Sequence, residues 1–393
     1  MKRVYKLLRT RPAICCFTVL GLLMTGQVHA VSYSVAPNQK SLPRCSGSWS
    51  KSNGNSLFTC SGVVTLNAGD SVTSQGGVTL QAVGLSIDSA TIGSAAGPIA
   101  IMVGEGGITA IGASSFSADV TASGTIDLTN ATIAGSLTAG GAISVGGGRV
   151  AGDVGSTNGA VQLTDVSVTG SVYASSGAIE LDGGAIGGSV RSASNPVQLT
   201  DVSVAGDVSA GGNITLVGGT VTGLVDSTCC DVKSNGTNLQ GGARSGSSSL
   251  SITDGTIQGD FSSVNNPATF SNVTMLSGTV VAGSISFTDS TVGSSAASVT
   301  MTSRYNAISL FGSQVYGDLT APSYSTVNVS DGSAVYGTCR PNSTPANACK
   351  SKTLLLSWWL NEGNWSGAAS EVLDRSGNNL NGQAYNGALT AAT

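Results

Sequence analysis

The feature that most constrains this chain is a phrase that recurs every 17 to 18 residues between Ile126 and Val225. Its first copy reads IDLTNATIAGSL, and its residues are numbered as places one to twelve. Apolar residues hold places one, three, eight and twelve, and glycine holds place ten. A fixed period this short is typical of a solenoid. The copies begin at Ile126, Ile143, Val161, Ile179, Val197 and Ile214.

The length of the period selects the class of solenoid. Helical repeats need about 33 residues or more per unit and leucine-rich repeats about 20 or more, so only short strands and turns fit here. Apolar places one and three alternate with polar ones, as in a strand with one buried face. The sequence therefore predicts an all-β fold, a right-handed parallel β-helix with 17–18 residues per coil. Place eight would then stack as Ile133, Val150, Val168, Ile186, Val204 and Val221.

Glycine at place ten forms a second predicted ladder. A tight corner explains it, either because a side chain would clash there or because φ is positive. Its members are Gly135, Gly152, Gly170, Gly188, Gly206 and Gly223.

Weaker copies of the pattern extend the predicted rod over residues 63–340, as roughly twelve to fourteen coils and about 60 Å of strand spacing. Residues 31–62 do not follow the repeat and predict an N-terminal cap that contains a disulfide. Residues 341–352 are rich in Pro and polar residues and predict a linker with a disulfide loop. Because one coil cannot stand alone, stability has to come from stacking.

Residues 1–30 have the pattern of a secretory signal peptide, with a basic start, an apolar run and cleavage between Ala30 and Val31. We therefore expect an exported protein, in the periplasm, on the outer surface or outside the cell, with no membrane span after cleavage. Cleavage removes five of the 17 Lys and Arg residues and none of the 21 Asp and Glu residues, which leaves a net charge near −9. Such a surface disfavours nucleic-acid partners.

Histidine chemistry is absent from the predicted mature chain, because the single histidine, His29, lies inside the signal. This excludes His-based general bases, Ser-His-Asp or Cys-His nucleophiles and His-ligated metals. We predict no catalytic residues, no cofactor-binding residues and no metal ligands.

Six cysteines remain after cleavage, an even number that suggests disulfides in an exported chain. Their spacing favours Cys45 with Cys60 and Cys339 with Cys349. The pairing of Cys229 and Cys230 stays open, as a vicinal pair or as a bridge to another group. Zinc is the disfavoured alternative, because the chain has no CxxC motif and no histidine outside the signal.

Acidic residues also recur at fixed places, and parallel β-helices include polysaccharide-cleaving enzymes. Stacked carboxylates suggest acid pairs for such chemistry, which would involve Asp182 together with residues of place five. The preferred interpretation is that Asp and Asn cap corners there, because a cationic partner is scarce. The acidic residues at place five are Asp165, Asp201, Asp254 and Asp289, and those at place eleven are Asp153, Asp207, Asp260 and Asp318.

The C-terminal segment has a different composition and a recognisable motif. It reads SWWLNEGNW from Ser357, then DRSGNN from Asp374, followed by Gly382. This order resembles the opening of laminin-G-like (concanavalin A-like) jelly rolls, although Asn381 stands where many members carry His. The resemblance implies that residues 353–393 begin such a domain and leave it incomplete. A completed jelly roll leaves room for a weak Ca²⁺ site, and we predict no other cofactor.

The order of segments resembles the N-terminal part of the MSHA biogenesis protein family MshQ, and the coils alone resemble the polymerising β-helix of bactofilins. The first resemblance implies a non-enzymatic β-helical stalk, associated with MSHA-type (type IV) pilus biogenesis or surface adhesion. Its partners would be pilus-assembly proteins or surface glycans. The alternatives are a β-helix polysaccharide-degrading enzyme and a bactofilin-like self-assembling scaffold.

Overall fold

The computed structural model describes residues 29–35, 41–52, 54 and 56–350, and within them all regular secondary structure is β-strand. The strands form one continuous, predominantly parallel sheet that winds into a β-solenoid of about 16 turns. The prediction of an all-β parallel β-helix is confirmed. In the described part of the chain, no helix is long and apolar enough to cross a membrane.

Each coil has three short strands that meet at three corners. In the first strict copy, Ile126 pairs with Ile143 on face 1, Ile133 with Val150 on face 2, and Leu137 with Val154 on face 3. Faces 1, 2 and 3 are therefore the sheets that contain places one to four, six to eight and twelve to fourteen. The ladders predicted from the period are the registers of the structure.

The strands before the strict repeat vary in length, because the coils there are wider. They are Ser32–Val35, Arg44–Cys45, Trp49–Ser52, Leu57–Leu66, Ser71–Ser74, Val78–Asp88, Thr91–Ile92, Ile99–Val103, Ile108–Ile111, Ser115–Phe116 and Val120–Ala122.

The strict repeat gives the most uniform strands. They are Ile126–Ile133, Leu137–Ala139, Ile143–Val150, Val154–Ser156, Val161–Val168, Val172–Ala174, Ile179–Asp182, Ala185–Ile186, Val190–Ser192, Val197–Thr200, Ser203–Val204, Val208–Ala210, Ile214–Val217, Thr220–Val221 and Val225–Ser227.

The C-terminal third continues the same order. Its strands are Val232–Asn235, Asn238–Leu239, Ala243–Ser245, Leu250–Thr253, Thr256–Ile257, Phe261–Ser271, Thr274–Met275, Thr279–Thr288, Thr291–Val292, Val299–Ser303, Ile308–Phe311, Gln314–Thr320, Val327–Ser330, Ala334–Tyr336, Cys339–Arg340, Ser343–Thr344 and Cys349–Lys350.

The number of coils exceeds the twelve to fourteen predicted. Face 1 partners Leu85 and Ile108 lie 23 residues apart, as do Ile285 and Ile308, so a search for a fixed period passes over these coils. The terminal rung Ser343–Thr344 has only two residues and no apolar signature. At about 4.8 Å per coil, 16 turns make a rod of about 75 Å.

The core is a narrow column of small apolar side chains. Places one, three, eight and twelve point inward as predicted, and places six and fourteen add further buried positions such as Val166 and Ala174. Where the coils widen toward the C-terminus, phenylalanines fill the column. The rings of Phe270 and Phe287 stack with centroids 4.4 Å apart, and Phe261 meets Phe270 edge to face at 5.7 Å.

The N-terminal end is covered by two antiparallel strands. Arg44–Cys45 and Trp49–Ser52 lie against the first long strand, Leu57–Leu66. The edge of a solenoid presents unpaired backbone groups, which such a cap protects from association. Leu57–Leu66 runs across the predicted boundary between residues 62 and 63 and contributes to both face 3 and face 1.

The C-terminal end finishes with one short strand on each face. Cys339–Arg340 pairs on face 3, Ser343–Thr344 on face 1 and Cys349–Lys350 on face 2. Residues 341–350, predicted as part of a linker, thus include the last strands of the solenoid. The predicted laminin-G-like segment 353–393 and residues 1–28 of the predicted signal lie outside the described residues.

Candidate functional site

The acidic residues at place five form the corner between faces 1 and 2. From Ser89 to Asp331 each coil turns this corner through at least one residue with positive φ. Asp165 and Asp201 have φ of 54° and 53°. Asp and Asn tolerate this left-handed conformation better than other residues with a Cβ. The structure therefore favours the interpretation that these residues are corner residues.

The acidic residues at place eleven cap backbone groups of the following coil. Asp153 Oδ1 accepts the amide of Ser171 at 2.7 Å, and Asp207 Oδ1 accepts that of Leu224 at 2.8 Å. Asp318 Oδ1 accepts the amide of Thr338 at 2.9 Å. Where serine holds place eleven, its hydroxyl accepts in the same way. These side chains are hydrogen-bonded within the fold, so they form part of its structure.

The glycine ladder at place ten is explained by close approach. The six glycines of the strict repeat do not have positive φ. A Cβ at Gly170 would collide with Asp153 Oδ1 and with the backbone of Gly152. Of the two reasons predicted for this ladder, steric exclusion applies, because glycine leaves space for the capping side chain of the coil before it.

A buried serine ladder at place fourteen was not predicted from the sequence. Ser192 is buried, donates to Gly177 O at 2.8 Å and accepts the amide of Asn195 at 3.1 Å. Each such hydroxyl thus links two successive turns between faces 3 and 1. The alternation of Ala and Ser at this place is the signal that was available. Its serines are Ser156, Ser192, Ser227, Ser245, Ser263 and Ser303.

All six cysteines outside the predicted signal are paired. Cys45 is bonded to Cys60 in the N-terminal cap, and Cys339 to Cys349 in the last coil. Cys229 and Cys230 form a vicinal disulfide in the turn after Val225–Ser227. Of the alternatives left open for this pair, the structure shows the vicinal bond.

Two further predicted positions are described by the structure without a site being formed. Next to Ala30, the backbone nitrogen of Val31 donates to the buried Asp70 Oδ1 at 2.8 Å, which holds the start of the first strand against the rod. Within residues 29–350, apart from the undescribed gaps, no group of three or more His, Cys, Asp or Glu side chains is arranged to hold a metal ion.

A shallow hollow on face 1 is the one feature that resembles a binding site in the described part of the chain. It measures about 410 Å³ and crosses four coils. At its centre lie the exposed side chains of Glu180 and Asp182, at places two and four of one strand. It is lined by Ser144, Val145, Gly146, Gln162, Leu163, Thr164, Glu180, Leu181, Asp182, Gln198 and Thr200.

The hollow has a repeated composition on its two sides. Val161–Val168 and Val197–Thr200 flank the strand Ile179–Asp182, and the first eight residues of both flanking copies read VQLTDVSV. Gln162 Nε2 donates to Glu180 Oε2 at 3.1 Å. The structure brings Asp182 into the hollow and places Asp165 and Asp201 at its edge, as corner residues.

Comparisons of the chain with protein-family models, with curated proteins and with solved structures found no match.

Proposed function

We propose that this chain is a non-enzymatic, exported structural or adhesive protein. Its β-helix would act as a stalk in MSHA-type (type IV) pilus biogenesis or surface adhesion, holding the laminin-G-like segment away from a surface. The observation that carries the proposal is a continuous column of about 16 coils whose place-eleven acids cap the fold.

The construction of the rod supports a spacer. Every coil pairs with the next on three faces, so a bend would have to break parallel hydrogen bonds and expose the apolar column. Disulfides fasten strands at both ends, where a solenoid would otherwise fray first. A stiff, closed rod suits a protein whose task is to set a distance.

The cysteines and the order of segments support the location. Three disulfides are typical of chains that fold in an oxidising compartment. The resemblance to the MshQ family supports a pilus locus, with pilus-assembly proteins or surface glycans as partners.

A carbohydrate-degrading enzyme is the second candidate, and one observation favours it. Glu180 and Asp182 project from the same face two residues apart, which is about 6.6 Å along a strand. Glycosidases use pairs of carboxylates at comparable separations. No Lys, Arg or His lines the hollow, so a cationic group to stabilise developing negative charge is missing from it.

A self-assembling filament is supported less well. End-to-end stacking of copies needs free parallel edges, and the N-terminal edge is covered by Arg44–Cys45 and Trp49–Ser52.

Adhesion and export in cells test the proposal. We expect the whole chain at the cell surface, no export without residues 1–30, and loss of adhesion but normal export without residues 353–393. Adhesion that is unchanged without residues 353–393 would contradict the stalk model. Polysaccharide cleavage by the purified chain that is lost in E180Q or D182N would establish the enzyme instead.

A further inference from the structure

The hollow on face 1 combines two columns of outward polar side chains. Place two contributes Gln162, Glu180 and Gln198, and place four contributes Thr164, Asp182 and Thr200. Parallel pairing holds neighbouring members of each column in register, about 4.8 Å apart. We propose that this hollow binds a neutral, unbranched oligosaccharide that lies along the rod axis with one sugar unit per coil.

The carboxylates at the centre have acceptor capacity that the fold does not use. Gln162 occupies Glu180 Oε2, and no described residue donates to Glu180 Oε1 or to either carboxylate oxygen of Asp182. This differs from place eleven, where Asp153 and Asp207 cap backbone amides. Free carboxylate oxygens on a rigid sheet are suited to accept hydrogen bonds from pairs of sugar hydroxyls.

The amides on both sides supply the complementary groups. Gln198 carries two N–H donors and a carbonyl oxygen, and Gln162 offers its carbonyl oxygen and its second N–H. A sugar hydroxyl is both donor and acceptor, so a mixed row of amide and carboxylate groups can satisfy it. The spacing between coils is close to the length of one hexopyranose unit, so a linear chain can meet the same groups at every coil.

Other classes of ligand fit this lining less well. Anions would be repelled by Glu180 and Asp182, and no cationic side chain lines the hollow. A metal ion lacks ligands, because no group of three suitable side chains exists among the described residues. Apolar molecules would displace water from a surface made mainly of amides, hydroxyls and carboxylates. A neutral polyhydroxylated chain matches the lining.

The dimensions set the length and strength of the expected interaction. The hollow reaches from Ser144 to Gln198 across four coils, so four sugar units would fill it. No aromatic side chain lines it, so stacking on a sugar ring does not contribute. We expect weak binding, with a Kd of about 1 mM for the filling length.

Calorimetry or NMR titration of the purified whole chain tests the proposal. The probes are linear β-1,4-glucan, β-1,4-mannan and α-1,4-glucan oligomers of one to six units. For at least one series, affinity should rise about tenfold from one to four units and then level off. Absence of binding in all three series, affinity that keeps rising beyond four units, or binding that requires added Ca²⁺ would overturn the proposal.

Variants locate the site. E180A and Q198A should weaken binding of the four-unit oligomer at least about tenfold. N328A removes an amide at place two of the same face outside the hollow and should leave binding unchanged. Since these side chains point outward, the melting temperature should not change. Equal losses in all three variants would contradict the proposal. The measurement uses purified protein, so its failure leaves the stalk function untouched, and failure of export or adhesion in cells leaves this site untouched.

Discussion

At the residue scale, corners and hydrogen bonds decide what each polar side chain does. An aspartate can hold a left-handed corner, cap the next coil or face a ligand, and its place in the repeat determines which. Asp165, Asp153 and Asp182 show these three situations within 30 residues. The acidic ladders seen in the sequence are therefore three different structural features.

One coil contains two buried hydroxyls without partners. Thr237 is 1% exposed and Ser234 is 3% exposed, and neither hydroxyl has a hydrogen-bond partner within the described chain. Burying an unsatisfied polar group costs free energy. Thr237→Val keeps the shape and removes the hydroxyl, so it should raise the free energy of unfolding by about 1 kcal/mol.

The matched control for that change is a buried hydroxyl that has partners. Ser192→Ala leaves Gly177 O and the amide of Asn195 without their partner, so it should lower the free energy of unfolding by about 1–2 kcal/mol. Denaturant titration of both variants measures the effect. A destabilised Thr237→Val protein would show that this hydroxyl is satisfied in solution.

A pH dependence is expected from Asp231. Hydrogen bonds from the Ser248 and Ser249 hydroxyls hold the pKa of this carboxyl below its ordinary value of 3.8, and the amide of Ser249 and the charge of Lys233 act in the same direction. A lowered pKa in the folded state stabilises the fold at pH values above the unfolded-state pKa. This contribution disappears as the pH falls through the folded-state pKa.

We therefore expect Asp231→Asn to melt at a lower temperature than the unmodified chain at pH 7. The difference should shrink as the pH falls below the ordinary Asp range. Asp127→Asn, on an exposed strand position of the same face, is the control. A melting difference that is independent of pH would exclude charge on Asp231 as its cause.

At the scale of the coil, sequence periodicity predicts what stacks and misses what joins the coils. The ladders of Ile126, Ile133 and Leu137 follow from period and hydrophobicity, because one-residue slips would turn them outward. The serine ladder lies beyond place twelve, where Ala and Ser alternate without a strong apolar signal. Wide coils such as the one before Ile108 break the fixed period, so a count based on that period is too low.

The hollow around Glu180 was also missed, because outward positions follow no apolar rule. The signal that could have found it is the identity of the VQLTDVSV copies beginning at Val161 and Val197 on either side of an acidic strand. Repeats that diverge leave inward places similar and outward places free. Identical outward residues in two coils are therefore informative.

Glycine positions give a sharp test at this scale. Gly170→Ala places a Cβ against Asp153 Oδ1 and the Gly152 backbone, and should cost about 2 kcal/mol or more. Gly146→Ala adds a Cβ that meets nothing within 4 Å, so its effect should stay within about 0.5 kcal/mol. Chemical denaturation compares the two. Similar costs for both would show that backbone entropy, and not close packing, explains the ladder.

At the scale of the whole molecule, the solenoid makes length the property that the sequence encodes. Each coil adds about 4.8 Å, and its contacts are with the coils before and after it. Shape is thus nearly independent of which residues occupy the outward places. A rod of this kind can vary its surface, and acquire a binding hollow, without changing its fold.

An in-register deletion tests the account of the rod most directly. Removing residues 161–196 takes out two coils and joins Ala160 to Val197, so that the next VQLTDVSV copy continues the ladders. Small-angle X-ray scattering should show a folded rod that is shorter by about 10 Å, with unchanged β-sheet circular dichroism. A chain that unfolds after this deletion, or that keeps its full length, would contradict a rod built from stacked, interchangeable coils.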